Sequence, residues 1–421
     1  MIAWILATGD EVVNGAVEDT NSAHIARALL EEGVRVERHM AVADDLDALV
    51  DAFTETGGRA DVCVVTGGLG PTQDDLSAEA AARAAGTGLS LDPEALAWIE
   101  ALFKAMDWKM NESNRKQAYL PETALRLDNP MGTAPGFSLD INRCRFFFLP
   151  GVPREMVRML AQEVIPRIRL MDNRPLEVFR SRTLRTFGGG EAWVGQMVSG
   201  LEGEFPGLKL GLRALFPEVQ VKLYLRTGDA DEAKRVLSRA AGLVADRLGD
   251  RVFSLEDEDL EAVVGRLLRE RGQTLALAES CTGGLVSHRI TGVSGASDYF
   301  LLSAVTYANH AKTRLLGVSE STLAQHGAVS GETAREMARG AREAVGADWG
   351  LSTTGIAGPT GGTEEKPVGT VWVGLSGPDG DRSFRFRFPF PERERNKEIF
   401  ATSALDVLRR ALAGLEDPRY G

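Results

Sequence analysis

Apolar positions along the chain switch between two periods, and each switch marks an element. Ile2–Ala7 and Asp61–Thr66 are short apolar runs that read as strands. Between them Ile25, Ala26, Leu29 and Leu30 recur at helical spacing within Asn21–Glu32; Gly33 stops that helix, and Val34–Val36 resumes extended chain. A second helix is expected over Leu46–Glu55, and RCRFFFLPGVPREM (Arg143–Met156) adds a buried strand that ends at a Pro/Gly loop. Strand and helix in alternation predict βαβ units and a mostly parallel sheet over the first ~170 residues.

The pattern then changes. Arg182–Val198 reads as strand, glycine turn and helix; Val219–Arg226 alternates like a half-buried strand, and Asp229–Leu248 is helical, which together predict a small α+β unit. Farther on, Leu260, Val263, Val264, Leu267 and Leu268 share one helical face ended by Gly272, and Thr274–Ala278 is a strand. Strands at Trp349–Thr353, Thr370–Leu375 and Ser383–Phe388, then a helix over Asn396–Leu412, complete a second α/β domain. The expected domains are 1–171, 172–253 and 254–421.

The length of 421 residues agrees with several cores, since domains usually hold ~100–200 residues each. No apolar run reaches the ~18 residues of a membrane span. MIAWILATGDE has no basic region before its apolar residues and reads as a first strand rather than a signal peptide. Three cysteines, Cys63, Cys144 and Cys281, form no CxxC pair, which fits a reducing, cytoplasmic compartment. A net charge of −12 argues against a surface built to grip nucleic acid.

Candidate chemistry sits where strands end. TLALAESCTGG (Thr274–Gly284) places Ser280, Cys281 and Thr282 at a strand-to-helix junction, with Gly283 and Gly284 permitting close approach of a ligand. Free N–H groups there can hold an oxyanion, so all three residues are candidate nucleophiles or anion ligands; the plainer reading is a Ser/Thr cap with packing glycines. A nucleophilic hydroxyl needs a base. VTYANHAKTRLLGV (Val305–Val318) offers Lys312, Tyr307 and the competing His310, although a lone lysine is more often a solvated surface residue. Thr353 and Thr354 precede a loop containing Gly355 and Gly358 that can cradle a phosphate or be a long turn; it lacks the GK[ST] ending of a Walker motif.

VVTGGLGPTQDD (Val64–Asp75) has similar grammar. Its glycines suit a phosphate, and Asp74 and Asp75 suit a divalent cation such as Mg²⁺, or merely begin a helix favourably. ATGDEVVNGAVEDTN (Ala7–Asn21) brings Asp10, Glu11, Asp19 and Asn21 to the same carboxyl edge of the sheet.

AESCTGG, TYANHAK, GAVSGET, GIAGPTGGTEEKPVGTVWVG and PERERNKE, in this order, resemble the nicotinamide mononucleotide amidohydrolase domain that forms the C-terminal part of the competence/damage-inducible CinA proteins. The resemblance spans about residues 255–418. It implies metal-free deamidation of nicotinamide mononucleotide to nicotinate mononucleotide and ammonia. Ser280 falls on the nucleophile, Lys312 and Tyr307 on its catalytic partners, and Thr354 and Arg393 on substrate contacts. Cys281, Thr282, Gly283, Gly355 and Gly358 would lie beside the substrate, and amides of the following helix would hold the oxyanion. Thr360 departs from the Asp that relatives often carry.

The N-terminal blocks, with NPMGTAPGF and LPGVPREM, resemble the molybdopterin-binding-like domain of the same family. That implies metal-dependent ADP-ribose pyrophosphatase activity, with Asp10, Asp74 and Asp75 on the metal and Gly67, Gly68, Thr72 and Thr133 on phosphate. A usual DDxT reads Asp74-Asp75-Leu76-Ser77 here. The middle segment resembles a KH-like linking domain without the GXXG loop of RNA binders. The family further implies a homodimer. The alternatives are a molybdopterin-handling protein and a non-catalytic competence or repair adaptor with a recombinase partner.

Overall fold

CRFFFL and LALAE show how the two large domains build their sheets. A computed structural model of the chain describes residues 1–171 and 178–418. In it, β1 (Ile2–Thr8), β2 (Arg35–Val42), β3 (Val62–Thr66), β4 (Leu125–Leu127), β5 (Gly136–Ile141) and β6 (Cys144–Leu149) form one sheet in the order β2-β1-β3-β6-β5-β4. The pairs β1/β2, β1/β3 and β3/β6 are parallel, and β5 joins β6 and β4 antiparallel. Successive side chains of a strand point to opposite faces. Phe146 and Phe148 therefore pack with Phe53 of α2 (Leu46–Arg59), whereas Phe147 lies with Ile25 and Leu29 of α1 (Thr20–Glu31). Both faces are covered, which is why β6 reads as an unbroken apolar run.

The linking segment contributes β7 (Val178–Thr186), β8 (Leu208–Leu215), β9 (Glu218–Thr227) and β10 (Val252–Ser254) in the order β8-β9-β7-β10, with the helix Ala230–Leu248. The expected join at 171/172 falls at residues 172–177, outside the described residues. By contacts the chain divides into two compact units, Met1–Arg180 with Arg226–Ala233, and Ser181–Leu225 with Lys234–Gly421.

The last sheet has the order β12-β11-β13-β14-β15, from β11 (Leu275–Glu279), β12 (Phe300–Val305), β13 (Trp349–Gly355), β14 (Thr370–Gly377) and β15 (Gly380–Arg387). The pairs β11/β12 and β11/β13 are parallel; β14 and β15 add antiparallel. Leu275 and Leu277 meet the helices Leu260–Arg271, Leu285–Thr291 and Arg393–Ala413 on one face. Ala276 and Ala278 meet Met337 and Ala341 of the helix Gly331–Val345 on the other. That helix lies against bare backbone: a Cβ on Gly350 would stand 2.0 Å from the Ala338 carbonyl oxygen, and one on Gly374 2.1 Å from that of Ala334. The fold class is the expected one, α/β domains flanking an α+β segment.

Several details depart from the sequence reading, among them the strands Leu125–Leu127, Gly136–Ile141 and Leu208–Leu215 and the helix Gly331–Val345, none of them anticipated. The strand after Gly33 extends to Val42, and the strand Phe300–Val305 was not anticipated. Both are edge strands with exposed positions, so neither carries a clean buried pattern. The closing strand ends at Arg387, and Phe388 is buried just beyond it.

Candidate functional site

The turn after β11 is held from both ends. Ser280 N–H donates to the Thr353 carbonyl (3.0 Å), extending the β11/β13 pairing by one residue. Gly283 and Gly284 follow with φ of +63° and +97°, a region that residues with a Cβ rarely enter. Behind the turn lies Glu279, 1% exposed. Its Oε2 accepts from Thr282 Oγ1 (2.7 Å), Gly284 N (2.9 Å) and Val286 N (3.2 Å), and its Oε1 from Ser287 N and Oγ (both 2.8 Å). The Thr282 proton goes to this carboxylate, so Thr353 Oγ1, 2.7 Å from Thr282 Oγ1, is the donor of that pair.

Lys312 comes from the helix Asn309–Leu316. It is 1% exposed, and its Nζ lies 3.0 Å from Ser280 Oγ, 2.7 Å from the Thr306 carbonyl and 3.4 Å from that of Tyr307. Among the described residues no carboxylate pairs with it, and burial pushes its pKa below the usual lysine value. Cys281 is also buried; loss of hydration pushes its thiol up to about 12, which leaves it protonated and a poor nucleophile at neutral pH.

These residues open onto a cleft of about 360 Å³. Tyr307, Thr354, Gly355, Gly358 and Arg393 line it with Ser280, Cys281 and Lys312, as does Thr360. Tyr307 stands at its exposed mouth, where its hydroxyl accepts from Arg393 Nη2 (2.9 Å) while Arg393 Nη1 donates to the Gly358 carbonyl (2.9 Å). Thr354 Oγ1 donates to the Ala328 carbonyl (2.7 Å), so only its acceptor capacity faces a ligand. Thr282 and Gly283 do not line the cleft; neither does His310, which is exposed.

The expected oxyanion donors change. The amides at the start of the helix Leu285–Thr291 are taken by Glu279. Among the described residues, the N–H groups of Cys281 and Thr282 donate to no other residue. Sequence reading missed Glu279, whose one signal was a charge closing the apolar run TLALA. It also missed Asn396, which shapes the loop by donating to the Ala357 and Phe390 carbonyls (2.9 and 2.8 Å).

A second cleft, of about 480 Å³, lies at the carboxyl ends of β1, β3 and β6. Glu11, Asp19, Asn21, Gly67, Gly68, Asp74, Asp75 and Thr133 line it; Asp10 and Thr72 do not. Asp75 is occupied within its own loop, accepting from Gly70 N (2.7 Å), Thr72 N (2.8 Å) and Thr72 Oγ1 (2.5 Å). Asp19 caps α1 through Ser22 N (2.9 Å), and Asn21 Nδ2 donates to Thr66 Oγ1 (3.0 Å) and the Gly151 carbonyl (2.8 Å). Ser77 Oγ donates to the Gly67 carbonyl (3.0 Å), so the hydroxyl of the altered DDxT steadies the glycine turn.

Asp44, not foreseen from sequence, lines this cleft and exchanges backbone-to-carboxylate hydrogen bonds with Asp10 (3.2 Å each). Burial raises its pKa, and the charges of Asp10, Glu11 and Asp74 raise it further. Among the described residues no three His, Cys, Asp or Glu side chains are grouped to hold a metal ion. The donor chemistry still fits a hard cation on the Asp44 side, where the charges of Asp10, Glu11 and Asp74 act on Asp44, and does not fit one at Asp75.

Three family models match successive stretches: a probable molybdopterin binding domain at residues 4–170, the damage-inducible protein CinA KH domain at 181–254 and the CinA C-terminal domain at 257–412. A CinA-like protein of Desulfosudis oleivorans is 50% identical over 412 residues, 98% of this chain and 100% of its own length. One from Desulforapulum autotrophicum is 46% identical over 97% of each chain. The crystal structure of the protein CinA with unknown function from Thermoplasma acidophilum matches 38% of this chain and 94% of its own at 35% identity, with a TM-score of 0.36. Among the described residues no helix is long and apolar enough to cross a membrane. Identity of this level, sustained from one end of a relative to the other, places the chain in the CinA family.

Proposed function

We propose that the chain is a two-site hydrolase of pyridine nucleotide salvage, deamidating nicotinamide mononucleotide in its C-terminal domain and cleaving ADP-ribose to AMP and ribose 5-phosphate in its N-terminal one. The observation that carries the first activity is the 3.0 Å approach of Lys312 Nζ to Ser280 Oγ in a buried setting without a carboxylate. A neutral amine has two N–H bonds and one lone pair. The Thr306 and Tyr307 carbonyls take the hydrogens, which turns the lone pair toward the serine hydroxyl.

Ser280 gives its proton to Lys312 as Oγ bonds to the carboxamide carbon. The oxyanion would be held by the free amide of Cys281, which lines the cleft. Lys312 returns the proton to the departing nitrogen, the C–N bond breaks, and ammonia leaves an acyl-serine. Water then attacks with Lys312 again as base, giving the carboxylate product and restoring Ser280. Arg393, pinned between Tyr307 and Gly358, would meet the substrate phosphate. The test is ammonia and nicotinate mononucleotide formation by the purified protein with chelator present; no product, or product only on adding metal, sinks the reading.

At the N-terminal cleft, Asp44 and Asp74 would draw a divalent ion by their charge, and the ion when bound would offset charge on a pyrophosphate. Gly67, Gly68 and Thr133 would face the phosphates. ADP-ribose hydrolysis is expected to require added Mg²⁺ and to fall about tenfold or more in Asp44→Asn and in Asp74→Asn, with ammonia release unchanged. Retention of full pyrophosphatase activity in both variants would remove these residues from the site.

A further inference from the structure

We propose that Glu279 is a positioning residue for the Ser280 nucleophile, an inference that rests on the amidohydrolase reading of the cleft. Its carboxylate is buried, yet its five hydrogen-bond donors are three backbone amides and two hydroxyls, with no lysine or arginine among them. A buried charge persists only where its lone pairs are met, and here the start of a helix meets them.

Three results follow for the serine. First, the carboxylate ties Thr282, Gly284, Val286 and Ser287 back to the end of β11, so Ser280 sits in a turn closed on both sides. Second, by accepting the Thr282 proton it makes Thr353 the donor to Thr282; the same Thr353 holds Ser280 N–H through its carbonyl. Third, its negative charge and its claim on the helix amides keep a developing oxyanion away from the helix start. That leaves the turn amide of Cys281, which follows the nucleophile and lines the cleft. Glutamine could not substitute, because its NH₂ would face N–H groups that need an acceptor.

The experiment follows phenylmethylsulfonyl fluoride labelling of Ser280 by intact mass, beside kcat and KM for nicotinamide mononucleotide and a thermal melt, in wild type, Glu279→Gln and Thr282→Val. Glu279→Gln is expected to slow both labelling and kcat by about thirtyfold, with KM within about threefold. Thr282→Val, which keeps the carboxylate and removes one of its donors, is expected to slow both by about fivefold. A folded Glu279→Gln that labels at the wild-type rate overturns the proposal. Should Glu279→Gln not fold, Thr282→Val decides, and labelling within about twofold of wild type overturns it equally. If wild type labels at Ser280 but releases no ammonia, the substrate reading falls, and the labelling rates still judge Glu279.

Discussion

Lys312→Met is expected to lower ammonia release from nicotinamide mononucleotide by about 10³-fold or more in kcat. The lysine is the one group within hydrogen-bonding distance of Ser280 Oγ that can take its proton. Lys312→Arg should fail as badly, because a guanidinium stays protonated at every accessible pH. The wild-type pH profile carries the same information with a definite sign. Burial lowers the Lys312 pKa, so the neutral, active form gains population as pH rises, and the acid limb of kcat/KM bends below the ordinary lysine value. Beneath that bend the rate should fall about tenfold per pH unit. A flat profile between mildly acidic and alkaline pH, or a Lys312→Met enzyme within tenfold of wild type, would rule out the lysine as base.

Ser280→Ala and Cys281→Ala should part widely. The serine variant is expected to lose about 10³-fold or more in kcat/KM, because no acyl intermediate can form. The cysteine variant should stay within about fivefold, its loss confined to the packing of one buried side chain. The reason is protonation: Cys281, with its thiol pushed up to about 12, has almost no thiolate at neutral pH, whereas Ser280 has a base beside it. Its amide, which serves the oxyanion, survives the substitution. A dead Cys281→Ala with an active Ser280→Ala, compared by initial rates, would reverse the assignment.

In both large sheets most strands buried on two faces were legible, although Gly136–Ile141 was not. CRFFFL and LALAE announce themselves by composition, and the helix expected to end at Gly272 ends there, with φ of +62°. Of the edge strands, one was read only at its start and one was missed, since RVERHMAV and FLLSAV expose positions that a core strand would bury, whereas the closing edge strand was read from its alternating phenylalanines. At the site, residue types showed through in the residues themselves, while the pairing of Lys312 with Ser280 came only from the family resemblance. Ser280 and Lys312 lie 32 positions apart, and nothing local says that their side chains meet. Glu279 was hidden for the converse reason: its partners are local, yet the consequence of holding them, that the helix amides are lost to an oxyanion, depends on where the helix starts. Asp44 was missed because it follows a strand with no glycine motif to mark it.

The seam where the helix Gly331–Val345 meets β13 and β14 has a mechanical consequence. Its contacts are Gly350 and Gly374 against the main chain of Ala338 and Ala334. Glycine and alanine have no rotamers to surrender, so at these two points backbone meets backbone without a side chain being ordered. Thr353, near the end of β13, holds the Ser280 amide by its carbonyl. The backbone of the reactive serine is thus moored to the strand that this helix covers, and not to the surface loops that frame the cleft.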